Sequence, residues 1–165
     1  MKFTGGRVLV ACLMSIFLLA APTVAAARAK MNRSERAVVR KVNALRAGSG
    51  LATLRTNKHL ARAADAHNRD MLGADFFAHN SSNGRSAYDR GQSYRRSSLM
   101  GETLAYMPVA GDSSARKIVD MWKASPPHAQ TLMLGRFRRI GGAKRRGTLF
   151  GVRVTGWTAD LASAR

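Results

Sequence analysis

Glu102 is the only glutamate after Glu35, and it stands 23 positions after His79 and 26 before His128. A carboxylate brought between two imidazoles is a donor set for a borderline divalent cation, with a position left open for water. The same set could polarise that water for hydrolysis. The spacing is unlike the local H-E-x-x-H of metalloproteases, where two histidines share one helical face. Glu102 also lies beside apolar Leu104 and Ala105 in "GETLAYM". A glutamate buried there needs a partner, and from composition a purely structural polar cluster is the favoured reading of the three residues. Spacing alone is a weak sign of the metal set. Ser125, three residues before His128, is a fourth candidate for the same cleft. As a nucleophile it is poorly supported, since two prolines intervene and no sequence feature supplies an oxyanion hole. The two remaining histidines are placed differently. His59 falls in the first turn of a helix, and His67 lies on an apolar stripe as a hydrogen-bonded core residue.

The elements that would position these groups can be read from periodicity. Asn32 precedes Glu35 by three in "NRSERAVVRKVNALRAGSG", a capping box, with Val38, Val42 and Leu45 at helical spacing and glycines 48 and 50 ending the helix. Arg36, Arg40 and Lys41 form a basic stripe on its other face. A second helix runs through "TNKHLARAADAHNRDMLGADFF", capped by Thr56 or Asn57, with Leu60, Ala64, His67 and Met71 on one face. Phe76 and Phe77 then read as core packing that fixes His79. "SSNGRSAYDRG" reads as a loop with at most one helical turn, and "GETLAYM" as a strand or extended connector. "DSSARKIVDMW" opens a third helix with Ala115, Ile118, Val119 and Trp122 buried. Pro126 and Pro127 break it and hold His128 at the boundary. "RRIGGAK" and "TLFGVRVTGW" read as a hairpin turning at Arg145-Arg146-Gly147. Helices that precede strands indicate the α+β class, an antiparallel sheet covered by helices.

The front of the chain is expected to be a secretory signal. Lys2 and Arg7 lead into an uncharged apolar run from Val8 to Ala21, 14 residues and short for a membrane span, then "PTVAAA" with Ala25-x-Ala27 as cleavage site. An uncleaved anchor is the competing reading. A lipidated Cys12 is not favoured, because the apolar run continues past it. Residues 1–27 would thus be the signal, 28–34 a basic stub, 35–159 the domain and 160–165 a tail. Cys12 is the only cysteine, so the exported part forms no disulfide and depends on an ordinary core. Two of the 28 basic residues leave with the signal, which with nine acids gives the exported part a charge of +17. Such a charge favours anionic polysaccharide or lipid surfaces. Arg136, Arg138, Arg139, Lys144, Arg145 and Arg146 concentrate it around the hairpin, where a solvated turn is the plainer reading. A specific nucleic-acid role is not expected, because export separates the protein from the genome and few aromatics are free to stack on bases.

Short motifs in order add a resemblance. "VNALRAGSGLATL", "LARAADAHNRDM", "FFAHN", "GETLAY", "IVDMWKASPPHAQTLM" and "RRIGGAK" resemble successive segments of the CAP superfamily (cysteine-rich secretory proteins, antigen 5, pathogenesis-related 1), in particular its secreted bacterial members with an SCP domain. The likeness spans about residues 35 to 157. It implies an α-β-α sandwich with a central antiparallel sheet, and a cleft lined by two histidines and one or two acids. Matched residue by residue, these are His79, Glu102 and His128. The second acid's place, three after Trp122, is taken by Ser125. Thr103 replaces the usual asparagine after the glutamate, and Ala129 stands where bacterial members often carry arginine. With one carboxylate, any divalent ion held there should be zinc-like rather than calcium-like. The resemblance implies a secreted, non-enzymatic domain that binds a metal, sterol or lipid. A metal-assisted, peptidase-like hydrolase using the same cleft is the alternative.

Overall fold

A computed structural model describes residues 30–94 and 97–164. The expected signal, its cleavage site and Cys12 lie outside the described residues. The first helix, α1 (Arg33–Gly48), begins with the capping box its sequence encodes. Asn32 Oδ1 accepts from Glu35 N at 3.0 Å, and Glu35 Oε2 accepts from Asn32 N at 2.5 Å. Within the segment 28–34, Met31 is buried, Asn32 is the cap, and Arg33 and Ser34 are helical. Val38 and Val42 are buried as the periodicity predicts, and Arg40 and Lys41 are exposed.

A two-residue strand, β1 (Arg55–Thr56), leads to α2 (Lys58–Gly73), with Asn57 as the cap. Leu60, Ala64, His67 and Met71 are all buried, as that stripe requires. The stretch read as a loop contains α3 (Ala87–Tyr94), two turns and not one. Then come β2 (Met100–Pro108), a full nine-residue strand, and α4 (Ala115–Ala124), which buries Ile118, Val119 and Trp122. The prolines end α4 and also start α5 (Pro126–Met133), where their missing N–H groups cost nothing.

The hairpin of β3 (Phe137–Leu149) and β4 (Val152–Ser163) turns elsewhere than at Arg145-Arg146-Gly147. Leu149 pairs with Val152, so the link is Phe150-Gly151, with φ of 51° and 76°. That is the left-handed pair a tight two-residue hairpin needs. Gly147 resembled a turn glycine but sits inside β3, where a Cβ would meet Leu72 Cδ1 at 3.0 Å. Residues 160–163, expected to be a tail, are the end of β4.

The sheet order is β1-β3-β4-β2. The long strands are antiparallel, whereas β1 pairs with β3 in parallel, so the sheet is mixed. Alternation along β4 separates two faces. Trp157, Ala159 and Leu161 join Val38 and Val42 of α1, Ile118 and Trp122 of α4, and Leu132 of α5 in the apolar core. Thr158 and Asp160 face the other way, where Thr158 donates to Asn68 Oδ1 on α2 at 2.9 Å. Helix α2 lies close on that face because Gly141 is bare: a Cβ there would come within 2.0 Å of Ala61 N. The result is an α+β protein with an α-β-α arrangement.

Arg46 belongs to neither the basic stripe nor the apolar stripe of α1. It is fully buried and donates to four carbonyls, those of Ala52 (2.9 Å), Leu132 (2.6 Å), Leu134 (3.1 Å) and Phe137 (3.3 Å). One guanidinium thereby satisfies carbonyls left over where α5 ends and ties that end to α1.

Candidate functional site

Strand β2 is an edge of the sheet, and its Glu102 points into the layer with α2 and α3. His79 arrives on the loop after α2 and donates from Nδ1 to Glu102 Oε1 at 2.8 Å, which leaves its Nε2 toward solvent. Its side chain is 56% exposed, whereas that of Glu102 is 2% exposed. His128, in the first turn of α5, comes round the sheet edge so that its ring centroid is 6.1 Å from that of His79. The structure thus brings His79, Glu102 and His128 together from three distant segments.

It also places there three residues that sequence reasoning did not. Arg90 of α3 is buried and pairs through Nη2 with Glu102 Oε2. Its Nη1 donates to His79 O (2.7 Å), Arg85 O (3.0 Å) and Ser81 Oγ (3.2 Å), so one side chain fixes both the loop and the carboxylate. His67 was read as a core histidine held by a hydrogen bond, and its Nε2 does donate to Ala78 O at 2.9 Å. It also lies 3.9 Å from Glu102 Oε2. Burial lowers its pKa more than Glu102 raises it, so it is a neutral wall of the site. Burial, and then the nearness of His79, likewise lowers the pKa of His128.

The third is Asp160, directly opposite Glu102 in the β2–β4 register. Burial, and then the charge of Glu102, pushes its pKa well above the usual carboxylate range, with Arg90 acting against the rise. Asp160 thus holds its proton more tightly than a free aspartate, and Glu102 is the acid that meets Arg90. The unfolded chain ionises an aspartate above about pH 4. The stability Asp160 contributes is therefore full below that pH and declines as pH rises toward its folded value. Asp160→Asn keeps the group neutral throughout. It is expected to raise unfolding stability at pH 7 relative to its effect at pH 4, as read by urea titration at both. An equal loss at the two pH values would contradict the assignment.

The carboxylate expected to be a metal ligand is already committed. Glu102 Oε1 holds His79 and Oε2 holds Arg90. Among the described residues no group of three or more histidines, cysteines and acids is arranged to take a metal ion. Of the anticipated His79/Glu102/His128 set, Glu102 thus stands behind His79, and the two imidazoles face each other.

Beside His128 the cleft widens into a groove of about 420 Å³, lined by Phe77, Leu104, Tyr106, Met121, Trp122 and Ser125. Phe77 is 36% exposed and meets Tyr106 edge-on at 4.8 Å. The pair expected to pack together is thus divided: Phe76 packs toward His67, with ring centroids 6.3 Å apart, and Phe77 borders the groove. Ser125 stands at the start of α5 and lines this groove.

The six-residue basic cluster is not one patch. Arg145 makes two bonds to buried Asp65, at 2.8 and 3.0 Å, and so anchors α2 to β3. Lys144 points to the opposite face, with Nζ 4.9 Å from the Trp157 ring. Arg138 folds back on Gly135 O and Phe137 O, and Arg139 is in register with Arg55 of β1. Arg136 precedes β3, and Arg146 lies toward its far end.

The Cysteine-rich secretory protein family model (CAP) matches residues 39–155. The uncharacterized protein YkwD of Bacillus subtilis (strain 168) is 28% identical over 120 residues, which cover 72% of this chain and 45% of that one. The chain thus spans less than half the length of this curated relative. Among solved structures, an outer surface protein from Borrelia burgdorferi superposes with a TM-score of 0.69 at 18% identity, over 82% of this chain and 96% of that one. An extracellular protein containing a SCP domain from Bacillus anthracis str. Ames gives 0.65 at 22%, over 79% and 40%. More distant neighbours of the same fold include manganese-bound Ac-ASP-7 and NaASP2 solved with zinc, with TM-scores of 0.56 and 0.53.

Proposed function

The chain belongs to the cysteine-rich secretory protein (CAP) family, and from that premise we propose that it is a non-catalytic binding protein. Its cleft takes a small amphiphile, with the polar end at His79 and His128 and the apolar part along the groove. One observation carries this reading: an imidazole pair opens directly onto an apolar groove of about 420 Å³. A concave, mostly apolar site with a few polar groups at one end suits a small lipid-like ligand. A divalent ion such as zinc would be held only by the two imidazoles, with Glu102 orienting His79 from behind. Glu102 is free to act neither as ligand nor as base, so the hydrolase alternative lacks its central residue.

The reading places the protein outside the cytoplasm, at an anionic envelope or extracellular surface. Its support is the signal-like N-terminus, the charge of +19 for the whole chain and the likeness to an extracellular SCP-domain protein. No described helix is long and apolar enough to cross a membrane.

Trp122 borders the groove, so energy transfer to a dansyl-labelled fatty acid reports binding there. Met121→Glu would set a charge against the ligand's chain and is expected to weaken binding at least tenfold, or by about 1.4 kcal/mol. Sedimentation with phosphatidylglycerol vesicles should fall steeply between low and physiological salt, as surface electrostatics requires. Undiminished dansyl binding by the variant would remove the groove from the reading, and salt-independent sedimentation would remove the surface.

A further inference from the structure

We infer that Arg90 is the resident cation of the cleft, occupying the charge position at Glu102 that a divalent ion would otherwise take, so that Arg90 sets how weakly this chain binds metal. The inference rests on the cleft at His79 and His128 being the binding site, but not on the identity of the groove ligand.

The geometry supports it in three ways. The Arg90 guanidinium reaches Glu102 with Nη2, while Nη1 is held by three acceptors, His79 O, Ser81 Oγ and Arg85 O. A side chain held at so many points is not displaced by an arriving ion without leaving those acceptors empty. Second, the Arg90 side chain is 6% exposed and that of Glu102 is 2% exposed, so the pair lies below the imidazoles and not at the mouth of the cleft. Third, the surroundings carry the donor types that a metal centre uses. Glu102 touches His79 and lies close to His67, and Asp160 stands opposite Glu102 in the strand register.

Removing the guanidinium should reverse this. Arg90→Met retains the apolar stem and leaves Glu102 without its guanidinium partner, beside imidazoles and a second carboxyl, a set that a dehydrated zinc ion could complete. Zinc affinity, measured by isothermal titration at pH 7, is expected to rise by about tenfold or more over wild type. The Tm of Arg90→Met should then climb with added zinc by more than that of wild type, a readout available even for a weakened fold. Adding His79→Ala should abolish the gain. Arg90→Lys, which keeps a charge near Glu102, should gain little. A folded Arg90→Met protein with wild-type zinc affinity overturns the inference. If Arg90→Met does not fold, wild-type crystals soaked in zinc decide the matter. Glu102 remaining on Arg90 supports the inference, and a Glu102 oxygen about 2.0–2.2 Å from a zinc ion overturns it. Neither result depends on dansyl-lipid binding, so the two readings fail separately.

Discussion

Arg46→Ala is expected to lower the unfolding free energy by about 4 kcal/mol, the largest loss from any single truncation on α1. Arg46 is 0% exposed, and its partners are four backbone carbonyls. Alanine would strip those carbonyls of their donors where water cannot replace them, and would leave a cavity the size of the lost side chain. The carbonyls of Leu132 and Leu134 lie at the end of α5, so the helix that carries His128 would also lose its tether to α1. Urea titration at pH 7 checks the figure. A loss under about 1 kcal/mol would mean that the carbonyls find other donors and that the tether is dispensable. Arg46→Met, which fills the space but donates nothing, should recover part of the loss and so divide packing from hydrogen bonding.

Glu102→Gln is expected to cost about 3–5 kcal/mol at pH 7, because it leaves the Arg90 guanidinium buried without its counter-charge. It also weakens the bond that orients His79, so the imidazole pair should lose its fixed geometry. The contrast with Asp160→Asn makes the test sharp. Both substitutions turn a buried acid into its amide, and the two acids face each other across one strand pair. Only the loss of Glu102 removes a charge that the fold uses. Equal destabilisation by the two at pH 7 would mean that the negative charge is shared, and the assignment of the proton to Asp160 would fall.

The three residues that the sequence singled out do converge, because scarcity is informative. A chain whose glutamates are Glu35 and Glu102, with four histidines, leaves few ways to build a polar cleft, and boundary positions beside apolar runs are where such a cleft forms. Arg90 was hidden for the opposite reason. It is one of 28 basic residues, and it lies in a segment whose Ser, Asn and Gly composition reads as loop. Helix α3 exists because packing against α2 and β2 outweighs those local preferences. Asp160 had a faint signal, since alternation with Thr158 puts it on the polar face of β4 once the strand is known to reach that far. A turn at Gly147 would set the hairpin too early and leave the end of β4 as a tail, whereas the strands pair up to Leu149 and Val152. The basic cluster is spread out by the same geometry. Six cations within eleven residues are adjacent in sequence, but an extended strand sends successive side chains to opposite faces.

The strand order has a consequence for how the polypeptide acquires its shape. β4, the last strand, is hydrogen-bonded on both sides, to β3 and to β2, and it supplies Trp157, Ala159 and Leu161 to the interior. Until residues 152–163 have been made, β2 has no hydrogen-bonded neighbour in the sheet, and the interior lacks Trp157, Ala159 and Leu161. The sheet therefore becomes continuous only when β4 inserts between β2 and β3, joining an early strand to a late one.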